Sequence, residues 1–583
     1  MKDSVFTLRR LLIAVAVLVV AAVAWSAWLG WRTERDLRAA DAAVDRLQAA
    51  VTDGDDAARD AAVDDLRDAA ASAADRTDGF WWAGLTNLPV YGDDAAGVEA
   101  LSASVDLVAR DAVTPLVDTV DSLDGIVADG RIDVDQVAAL QQPVNDAATA
   151  MRQAVDLVEP LDSRDFAPAL RTRYDDYTKR LAEVAGDFKA AGTAVDVLPA
   201  MLGADGPRDY LFIFQNNAEI RSTGGLPGSW ARIHVEDGKV ELLEQGSAGD
   251  LNTDEQVVEL TAEEDAVYDE LPALFFQDPN FIPDFPRAAE LFEAFWDRKY
   301  PDTDLDGVLA LDPVGMSYLM DGTGPVQVGD LTLTADNIVD ELLSNTYLTI
   351  KDPAEQDERF QAVARAIFEA ATGDLASPID FVQGFAKAAS ERRFLVSPFD
   401  QDDAAVLRGA TILGALAGDD GATPHVDIGL NDATGSKMSY YLRYFTEVRS
   451  RGCEAGTQSL TGSMTFSQTI GPRAAKELPT YVTGGGQYGI PVGTQLVALR
   501  IYGPFGGSIS NVRVDGKNID TDYGLEIDGR PVVTTAPIIE TLDNVIVTWD
   551  MKTGPGQVGD GRTTVTPGIA PGPGSSRFRS ACS

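Results

Sequence analysis

Polar side chains able to do chemistry are concentrated in residues 215–228, which directly follow an apolar run at 210–214. From Asn216 onward this segment holds two amides, one carboxylate, one arginine, two hydroxyls and three glycines. A short apolar run predicts a strand buried on both faces, and open α/β sheets place ligand sites where such strands end. The segment therefore predicts a ligand-binding loop. The alternative is a tight strand connection in which the amides and glycines only satisfy backbone groups.

The overall composition limits the chemistry available elsewhere in the chain. With 92 acidic against 47 basic residues the formal net charge is −45, so we expect no nucleic-acid partner. The chain has two histidines, His234 and His425, and two cysteines, Cys453 and Cys582. This scarcity argues against zinc sites of the Cys/His type, and we predict no metal-binding cluster of that kind.

Residues 11–30 contain no charged side chain, and a helix of that length spans about 30 Å, enough for the hydrocarbon core of a bilayer. Lys2, Arg9 and Arg10 precede the segment, which favours a cytoplasmic tail at 1–10 and an extracytoplasmic body. We therefore predict a single-pass transmembrane helix in the cell membrane. A cleaved signal peptide is the competing interpretation, for which the segment is long.

Residues 31–200 are predicted to form an extracytoplasmic helical bundle or stalk. Apolar residues recur every three or four positions from Phe166 to Leu198, a spacing typical of a helix packed on other helices. Residues 52–55 predict a turn between two helices. Residues 80–82, Phe-Trp-Trp, would then return to the bilayer surface, a depth that Trp favours. Packing of the tryptophans in the helical core is the alternative.

Beyond residue 200, strand and helix patterns alternate, which predicts a central α/β domain at 201–435. The predicted strands lie at 210–214, 230–235 and 307–311, and the predicted helices at 286–297, 313–320, 336–343 and 359–372. From 436 to 583 short runs rich in Val, Ile, Thr and Tyr are broken by Gly and Pro. This pattern predicts an all-β, sandwich-like domain with a hairpin turn at Asp515-Gly516.

The two cysteines are a candidate disulfide. Export would place Cys453 and Cys582 in an oxidising compartment, where a bond between them is expected. It would close a loop of about 130 residues and add on the order of 4–5 kcal/mol in the chain-entropy treatment. Two buried free thiols are the alternative.

Two glycine-containing strings resemble ligand motifs but lack the required context. Residues 484–489 have the spacing G-x-G-x-x-G, yet Pro491 follows where a helix should begin. Residues 302–307 resemble the start of a calcium loop, yet Pro313 occupies the position of the bidentate glutamate. We predict neither nucleotide binding nor a calcium site at these strings.

Three segments resemble a family of uncharacterised, membrane-anchored bacterial envelope proteins: 210–235 with its double-Asn segment, 279–286 and 306–313. The order of parts is also similar, more distantly, to that of the LytR-CpsA-Psr enzymes. Those enzymes move glycopolymers from a polyprenyl-pyrophosphate carrier onto peptidoglycan or similar acceptors. The shared parts include Arg221-Ser222 after a buried strand and Asp357-Glu358-Arg359 at the start of a helix.

This resemblance implies a LytR-CpsA-Psr-like fold for 201–435 and roles for particular residues. The ligand-binding residues it implies are Asn216, Asn217, Glu219, Arg221 and Arg359. The two arginines would contact the pyrophosphate, because a guanidinium supplies forked donors. Asp357 and Asp250 would be catalytic, either holding Mg²⁺ or acting as a base on the acceptor hydroxyl. We expect no other cofactor.

The sequence leaves two functions open. The first is a membrane-anchored envelope protein that binds a polyprenyl-linked glycan or cell-wall polymer and takes part in glycopolymer transfer or cell-wall assembly. The second is a non-catalytic structural or scaffold protein that contacts other envelope proteins. Only two arginines of this chain match the arginine cluster of the enzymes, so enzymatic activity is left open as well.

Overall fold

A computed structural model describes residues 2–89, 91–120, 126–128, 130–572 and 574–582. The side chains of residues 1–24, 27, 52, 53, 118, 120, 128 and 379 lie outside this description. The chain divides into two compact units. One contains Met1–Asp124 and Ala138–Val195, and the other contains Gly125–Val137 and Asp196–Ser583. We call them the helical unit and the sheet unit.

The first 201 residues are mainly helical. Their α-helices are α1 Lys2–Asp53, α2 Asp56–Thr77, α3 Phe80–Leu85, α4 Gly92–Leu107, α5 Thr114–Val120, α6 Val134–Ala139, α7 Gln141–Val158 and α8 Pro168–Met201. The predicted turn at 52–55 is confirmed: α1 ends at Asp53, and the side chain of Asp55 caps α2 by accepting from the amide of Ala58 at 3.0 Å. Small side chains, among them Ala40, Ala43 and Ala70, let α1 and α2 pack closely.

The aromatic stripe that begins at Phe166 lines a second core of the helical unit, as predicted. Phe166, Tyr174 and Leu181 are buried there, and the Tyr174 hydroxyl donates to the carbonyl of Val158 at 2.6 Å. Trp82 is also buried, and its indole N–H donates to the carbonyl of Ala95 at 3.0 Å. Trp81, in contrast, is 40% exposed, and Phe80 is 94% exposed. The core-packing alternative therefore holds for Trp82 and not for Trp81.

The prediction of a transmembrane helix at 11–30 is wrong. Among the residues that the structure describes, no helix combines the length and the apolar character of a membrane span. Residues 11–30 belong instead to α1, which continues without interruption through a charged stretch to Asp53. The side chains of 11–24, on which the prediction depended, are among those outside the description.

The first part of the sheet unit contains a mixed sheet. Its strands and a small hairpin are β1 Val127–Ala128, β2 Arg131–Ile132, β3 Arg208–Arg221, β4 Gly224–Glu236, β5 Lys239–Ser247, β6 Gly307–Leu311, β7 Val326–Val328, β8 Leu331–Leu333 and β9 Phe394–Pro398. The described strand order is β1-β2-β5-β4-β3-β6-β9, with β7 and β8 paired separately. Only the β3–β6 pair is parallel among these described pairings. Strand β3 lies between β4 and β6 and is therefore paired on both sides.

Helices cover this sheet: α9 Ala262–Tyr268, α10 Leu271–Leu274, α11 Phe285–Lys299, α12 Pro313–Thr323, α13 Ile338–Asp340, α14 Thr346–Thr349, α15 Pro353–Thr372, α16 Pro378–Ser390 and α17 Gln401–Val406. The helices predicted at 286–297, 313–320 and 359–372 are confirmed as α11, α12 and α15. The one predicted at 336–343 is instead α13 followed by a π-helical segment, Glu341–Asn345. Leu211 and Ile213 of β3 pack against α11, where Trp230 and Trp296 meet edge to face at 5.4 Å.

The C-terminal part is a two-sheet β structure. Its elements are β10 His425–Asp432, β11 Leu442–Glu454, β12 Thr457–Gln468, α18 Pro472–Glu477, α19 Thr480–Thr483, β13 Gln495–Tyr502, β14 Ser508–Val514, β15 Lys517–Asn518, β16 Leu525–Ile527, β17 Arg530–Thr535, β18 Ile538–Ile539, β19 Val545–Lys552, β20 Gly561–Val565 and β21 Ser575–Phe578. The described orders are β16-β17-β13-β10-β20-β21 and β11-β12-β19-β14-β15. Both sheets bury their inner faces in one shared core.

Local signals in this part are borne out. Val514 pairs with Lys517 across Asp515-Gly516, and both turn residues have positive φ, which confirms the predicted hairpin. The predicted disulfide is present, joining Cys453 at the end of β11 to Cys582 near the C-terminus. The β part begins earlier than residue 436, because β10 starts at His425.

We predict that Cys453→Ser/Cys582→Ser lowers the free energy of unfolding by up to about 4–5 kcal/mol, because the bond removes chain entropy from the unfolded state. Urea denaturation followed by tryptophan fluorescence measures this change. Reductant should destabilise the wild-type chain and leave the double variant unaffected. A variant with the urea midpoint of the oxidised wild type would contradict the prediction.

Candidate functional site

The polar segment 215–228 is a hairpin rather than a loop. Strand β3 continues through Arg221, the chain turns at Ser222-Thr223, and β4 begins at Gly224, which pairs with Arg221. Gly224 has φ of +142°, and a Cβ on Gly225 would lie 2.4 Å from the carbonyl carbon of Asn216. The two glycines are therefore required by backbone geometry, since a side chain at either position would strain or clash.

The tip of this hairpin inserts into the two-sheet β structure. Ile220 is 1% exposed and belongs to the core shared by the two β sheets. The amide of Ser222 donates to Asn431 Oδ1 at 3.0 Å, and Asn431 Nδ2 donates to Ser222 Oγ at 3.0 Å. Thr566 Oγ1 donates to the carbonyl of Ser222 at 3.0 Å. The hairpin thus joins the mixed sheet to the β structure within one compact unit.

The charged residues of the hairpin are paired and buried. Lys437 Nζ lies 2.8 Å from Glu219 Oε2, and Arg221 Nη2 lies 3.8 Å from both Glu219 Oε1 and Asp278 Oδ1. The guanidinium of Arg221 stacks 4.8 Å from the ring centroid of Phe281. The side chains of Glu219, Arg221 and Lys437 are each at most 13% exposed. Arg221 is therefore directed into the protein and not towards solvent.

Burial and neighbouring charge set the protonation of this cluster. Burial favours the neutral acid, but the charges of Lys437 and Arg221 keep the pKa of Glu219 below its usual value. Burial would lower the pKa of Lys437, but Glu219 raises it above the usual range. Burial raises the pKa of Asp278 to about 6, with Arg221 opposing and Glu219 adding to the shift. The Glu219–Lys437 pair therefore stays ionised at neutral pH.

The two asparagines of the hairpin also serve internal contacts. Asn216 Nδ2 donates to the hydroxyl of Tyr347 at 2.6 Å, and its Oδ1 accepts from the amide of Ala218 at 3.1 Å. Asn217 is 1% exposed, and its Nδ2 donates to Asp312 Oδ2 at 2.8 Å. Asn217 Oδ1 and Arg221 Nε have no hydrogen-bond partner among the described residues. The side-chain amides of Asn216 and Asn217 therefore hold the local backbone and the neighbouring side chains of Tyr347 and Asp312 in place.

Arg393 forms a second buried connection that the sequence did not predict. Its side chain is 1% exposed and donates to Asp312 Oδ2 at 3.0 Å and to Glu391 Oε2 at 2.7 Å. It also donates to the carbonyls of Gly568 and Ala570, at 2.9 and 3.0 Å. Asp312 carries a recognisable local signal, since it caps α12 just before Pro313. Arg393 and Lys437 have no such signal, because Asp312 and Glu219 lie 81 and 218 residues away from them.

The remaining predicted site residues lie on the surface and are only partly brought together. Asp357 lies near the start of α15, where the residue as a whole is exposed. Partial desolvation of its carboxyl group raises its pKa, and the negative charge of Asp250 raises it further. The negative charge of Asp250 therefore acts on Asp357. Arg359 is half-buried and has no ion pair or hydrogen bond among the described residues. It does not converge on one anion with Arg221, whose described partners are all internal.

Asp250 also has a structural role. Its Oδ2 accepts from the amide of Ser247 at 2.8 Å, which completes a capping box on a short 3₁₀ turn. The residue borders an open surface cleft of about 420 Å³, lined by both acidic and basic side chains. The described residues contain no group of three or more His, Cys, Asp or Glu side chains able to hold one metal ion.

One part of the sheet unit is similar to a known protein family. A family model described as "Protein of unknown function (DUF4012)" matches residues 205–347. The match covers about a quarter of the chain and contains the whole β3–β4 hairpin. No curated protein and no solved structure matches the chain. The matched segment is thus similar to a family without an assigned activity.

We predict that Lys437→Met lowers the free energy of unfolding by about 3–5 kcal/mol, because it leaves Glu219 buried without its closest counter-ion. Glu219→Gln/Lys437→Met should recover part of this loss, since the double variant buries no unpaired charge. Urea denaturation of the four chains gives the coupling energy. The exposed pair Lys239–Glu241 is the matched control, with an expected coupling below about 1 kcal/mol. Additive effects at 219 and 437 would contradict the prediction.

We predict that the sheet unit is more stable at pH 5 than at pH 7.5. Burial raises the pKa of Asp278 and of Asp284 to about 6, and that of Glu293 to about 7. The folded state therefore binds protons that the unfolded state has released, and this stabilisation is lost as pH rises through 6 to 7. Melting temperatures from pH 4.5 to 8 measure it. Asp278→Asn should flatten the profile, and an unchanged profile would contradict the assignment to Asp278.

Proposed function

We propose that this chain is a non-catalytic structural protein of the cell envelope, in which the sheet unit is a rigid body that holds other envelope components. The observation that carries the proposal is the internal use of the hairpin charges. Glu219 and Asp278 pair with Lys437 and Arg221 inside the protein. A ligand phosphate at Arg221 would have to displace a carboxylate from a buried site, which is energetically unfavourable.

The location in the envelope is supported by the disulfide between Cys453 and Cys582. Such bonds persist in oxidising compartments and are rare in the cytosol, which favours an extracytoplasmic body. The net charge of −45 agrees with a protein that works among other macromolecules. A large charge of one sign makes copies of the chain repel each other and so opposes aggregation.

Glycopolymer transfer is the competing function, favoured by the electrostatic interaction between Asp250 and Asp357. Transfer from a polyprenyl-pyrophosphate carrier would need cations at the pyrophosphate. Arg359 is the one predicted arginine whose guanidinium is not committed to described internal partners, and a single guanidinium stabilises a pyrophosphate poorly. We therefore assign no reaction to Asp250, Asp357 or Arg359.

We predict that the purified chain transfers no sugar from a polyprenyl-pyrophosphate-linked oligosaccharide to a peptidoglycan acceptor with Mg²⁺ present, as measured by radiolabel incorporation. In a strain that lacks this protein, Asp357→Asn/Arg359→Ala should restore envelope integrity as well as the wild-type chain does, at equal abundance. Lys437→Met should restore it less well and in proportion to its lower abundance. Transfer that is lost in Asp357→Asn/Arg359→Ala would overturn the proposal.

A further inference from the structure

Two arginines lie side by side on the outer face of the sheet that ends with β20 and β21. Arg562 of β20 is directly opposite Arg577 of β21 in the antiparallel register, so the two side chains leave the same face with their Cβ atoms about 5 Å apart. Both residues are exposed, whereas Gly561 and Phe578, the next pair in the register, are buried. We call Arg562 and Arg577 the arginine pair.

The arginine pair has no counter-ion among the described residues. Neither guanidinium makes an ion pair or a side-chain hydrogen bond there. Asp560, just before β20, accepts from the amide of Ser580 at 2.7 Å, and Asp427 of β10 pairs with Arg530 at 2.6 Å. Residues 561–583 contain three arginines and no acidic residue. Like charges directly opposite each other destabilise a strand pair, so a chain rich in carboxylates keeps an unfavourable contact here, as proteins do at functional sites.

The next row of the same face adds two hydroxyl groups. Thr564 is paired with Ser575, and each lies two residues along its strand from the arginine pair. Strand alternation therefore places all four side chains on one face, in rows roughly 7 Å apart. Ser575 is exposed and Thr564 half-buried, and neither hydroxyl has a side-chain partner among the described residues. Two guanidiniums and two hydroxyls thus offer hydrogen-bond donors to the same region of solvent.

The strands that carry these donors are held firmly. Phe578 is 6% exposed in the core shared by the two β sheets. The disulfide between Cys453 and Cys582 secures the residues after β21. Before β21, Arg393 donates to the carbonyl of Gly568 at 2.9 Å. The donors are therefore presented on a fixed surface, which reduces the ordering that binding would require.

We propose that the arginine pair binds the phosphate groups of a linear polymer. A guanidinium supplies forked donors that match the oxygens of a phosphate. Two forks and two hydroxyls surpass what the two oxygens of a carboxylate can accept, so phosphate is the better match. An open sheet face contacts a free anion from one side only. A polymer returns a new phosphate to the same donors at high effective concentration.

The surrounding charges limit the kind of polymer. His425 of β10 lies beside Arg562 in the register, but its Nε2 is 2.8 Å from Asp420 Oδ2, so the donor array ends at β20. The net charge of −45 repels anions as a whole, although charges more than about 8 Å apart are largely screened at physiological ionic strength. A flexible single chain can touch the arginine pair alone. A nucleic-acid duplex, with one charge per about 1.7 Å, cannot.

This inference goes beyond the proposed structural role and does not depend on it. A phosphate polymer at the arginine pair would attach a non-catalytic scaffold to an envelope component, but a catalytic protein would bind one in the same way. The test measures binding by the purified full chain, so its failure would leave the transfer and complementation results unchanged.

Isothermal titration of the full chain with a glycerol phosphate dodecamer tests the proposal. We expect a dissociation constant on the order of 0.1 mM. Arg562→Gln/Arg577→Gln should weaken binding by about tenfold or more, because it removes both forked donors. Arg562→Lys/Arg577→Lys keeps the charge without the fork and should recover only part of the binding.

Two exposed arginines elsewhere, in α8 and α18, provide the matched control. Arg180→Gln/Arg473→Gln changes the net charge by the same amount and should bind within about twofold of the wild type. Melting temperatures separate binding from folding. Arg562→Gln alone should not lower the melting temperature, because it removes a repulsion. The dodecamer should raise the melting temperature of the wild type and not that of Arg562→Gln/Arg577→Gln.

Two further probes identify the anion. A glutamate dodecamer, which represents an acidic protein segment, and inorganic phosphate should each bind at least about tenfold more weakly than the glycerol phosphate dodecamer. The proposal is overturned if that dodecamer does not saturate the chain at millimolar concentration, if either probe binds as tightly, or if the control variant loses as much binding as Arg562→Gln/Arg577→Gln. It is also overturned if this last variant aggregates while the wild type binds no dodecamer, since the arginines would then only protect an edge strand.

Discussion

The ion pair between Glu219 and Lys437 is the interaction on which the sheet unit depends most. Glu219 comes from the hairpin of the mixed sheet, and Lys437 comes from the β structure, 218 residues later in the chain. Both side chains are buried, so each would carry a large desolvation cost without the other. Because the two charges belong to different parts of the fold, their pairing fixes the position of the hairpin tip relative to the β sheets. Ile220 can then enter the shared core and Ser222 can meet Asn431.

The same constraint decides which chemistry the hairpin can support. An arginine that binds a phosphate must be free to turn its guanidinium towards the ligand, whereas Arg221 is held by carboxylates, a carbonyl and an aromatic ring. Arg393, another buried arginine of this region, is occupied in the same way by Asp312 and Glu391. The sheet unit therefore uses buried arginines as connectors. In a strongly acidic protein, each of them offsets carboxylates that would otherwise be buried alone.

Patterns that depend on neighbours in sequence were predictable, and those that depend on distant partners were not. The helix periodicity from Phe166, the Asp515-Gly516 turn and the helices at α11, α12 and α15 follow from local spacing and turn chemistry. The polar composition of 215–228 suggested a loop, but in the structure it is strand, because its amides and charges find partners up to 218 residues away. Lys437 and Arg393 carried no signal, since their partners Glu219 and Asp312 lie 218 and 81 residues away.

Lys437 connects the hairpin to two neighbouring tyrosines. One side of its ammonium group pairs with Glu219 of the hairpin, and the other lies near the rings of Tyr347 and Tyr481, at 4.9 and 4.7 Å. Cation–π contacts of this kind favour a fixed ring orientation, so the ion pair that secures the hairpin also orients Tyr481. Tyr347 is tied to the hairpin as well, through Asn216. The double-Asn hairpin therefore holds Tyr347 and Lys437 in place, which gives its polar composition a structural role.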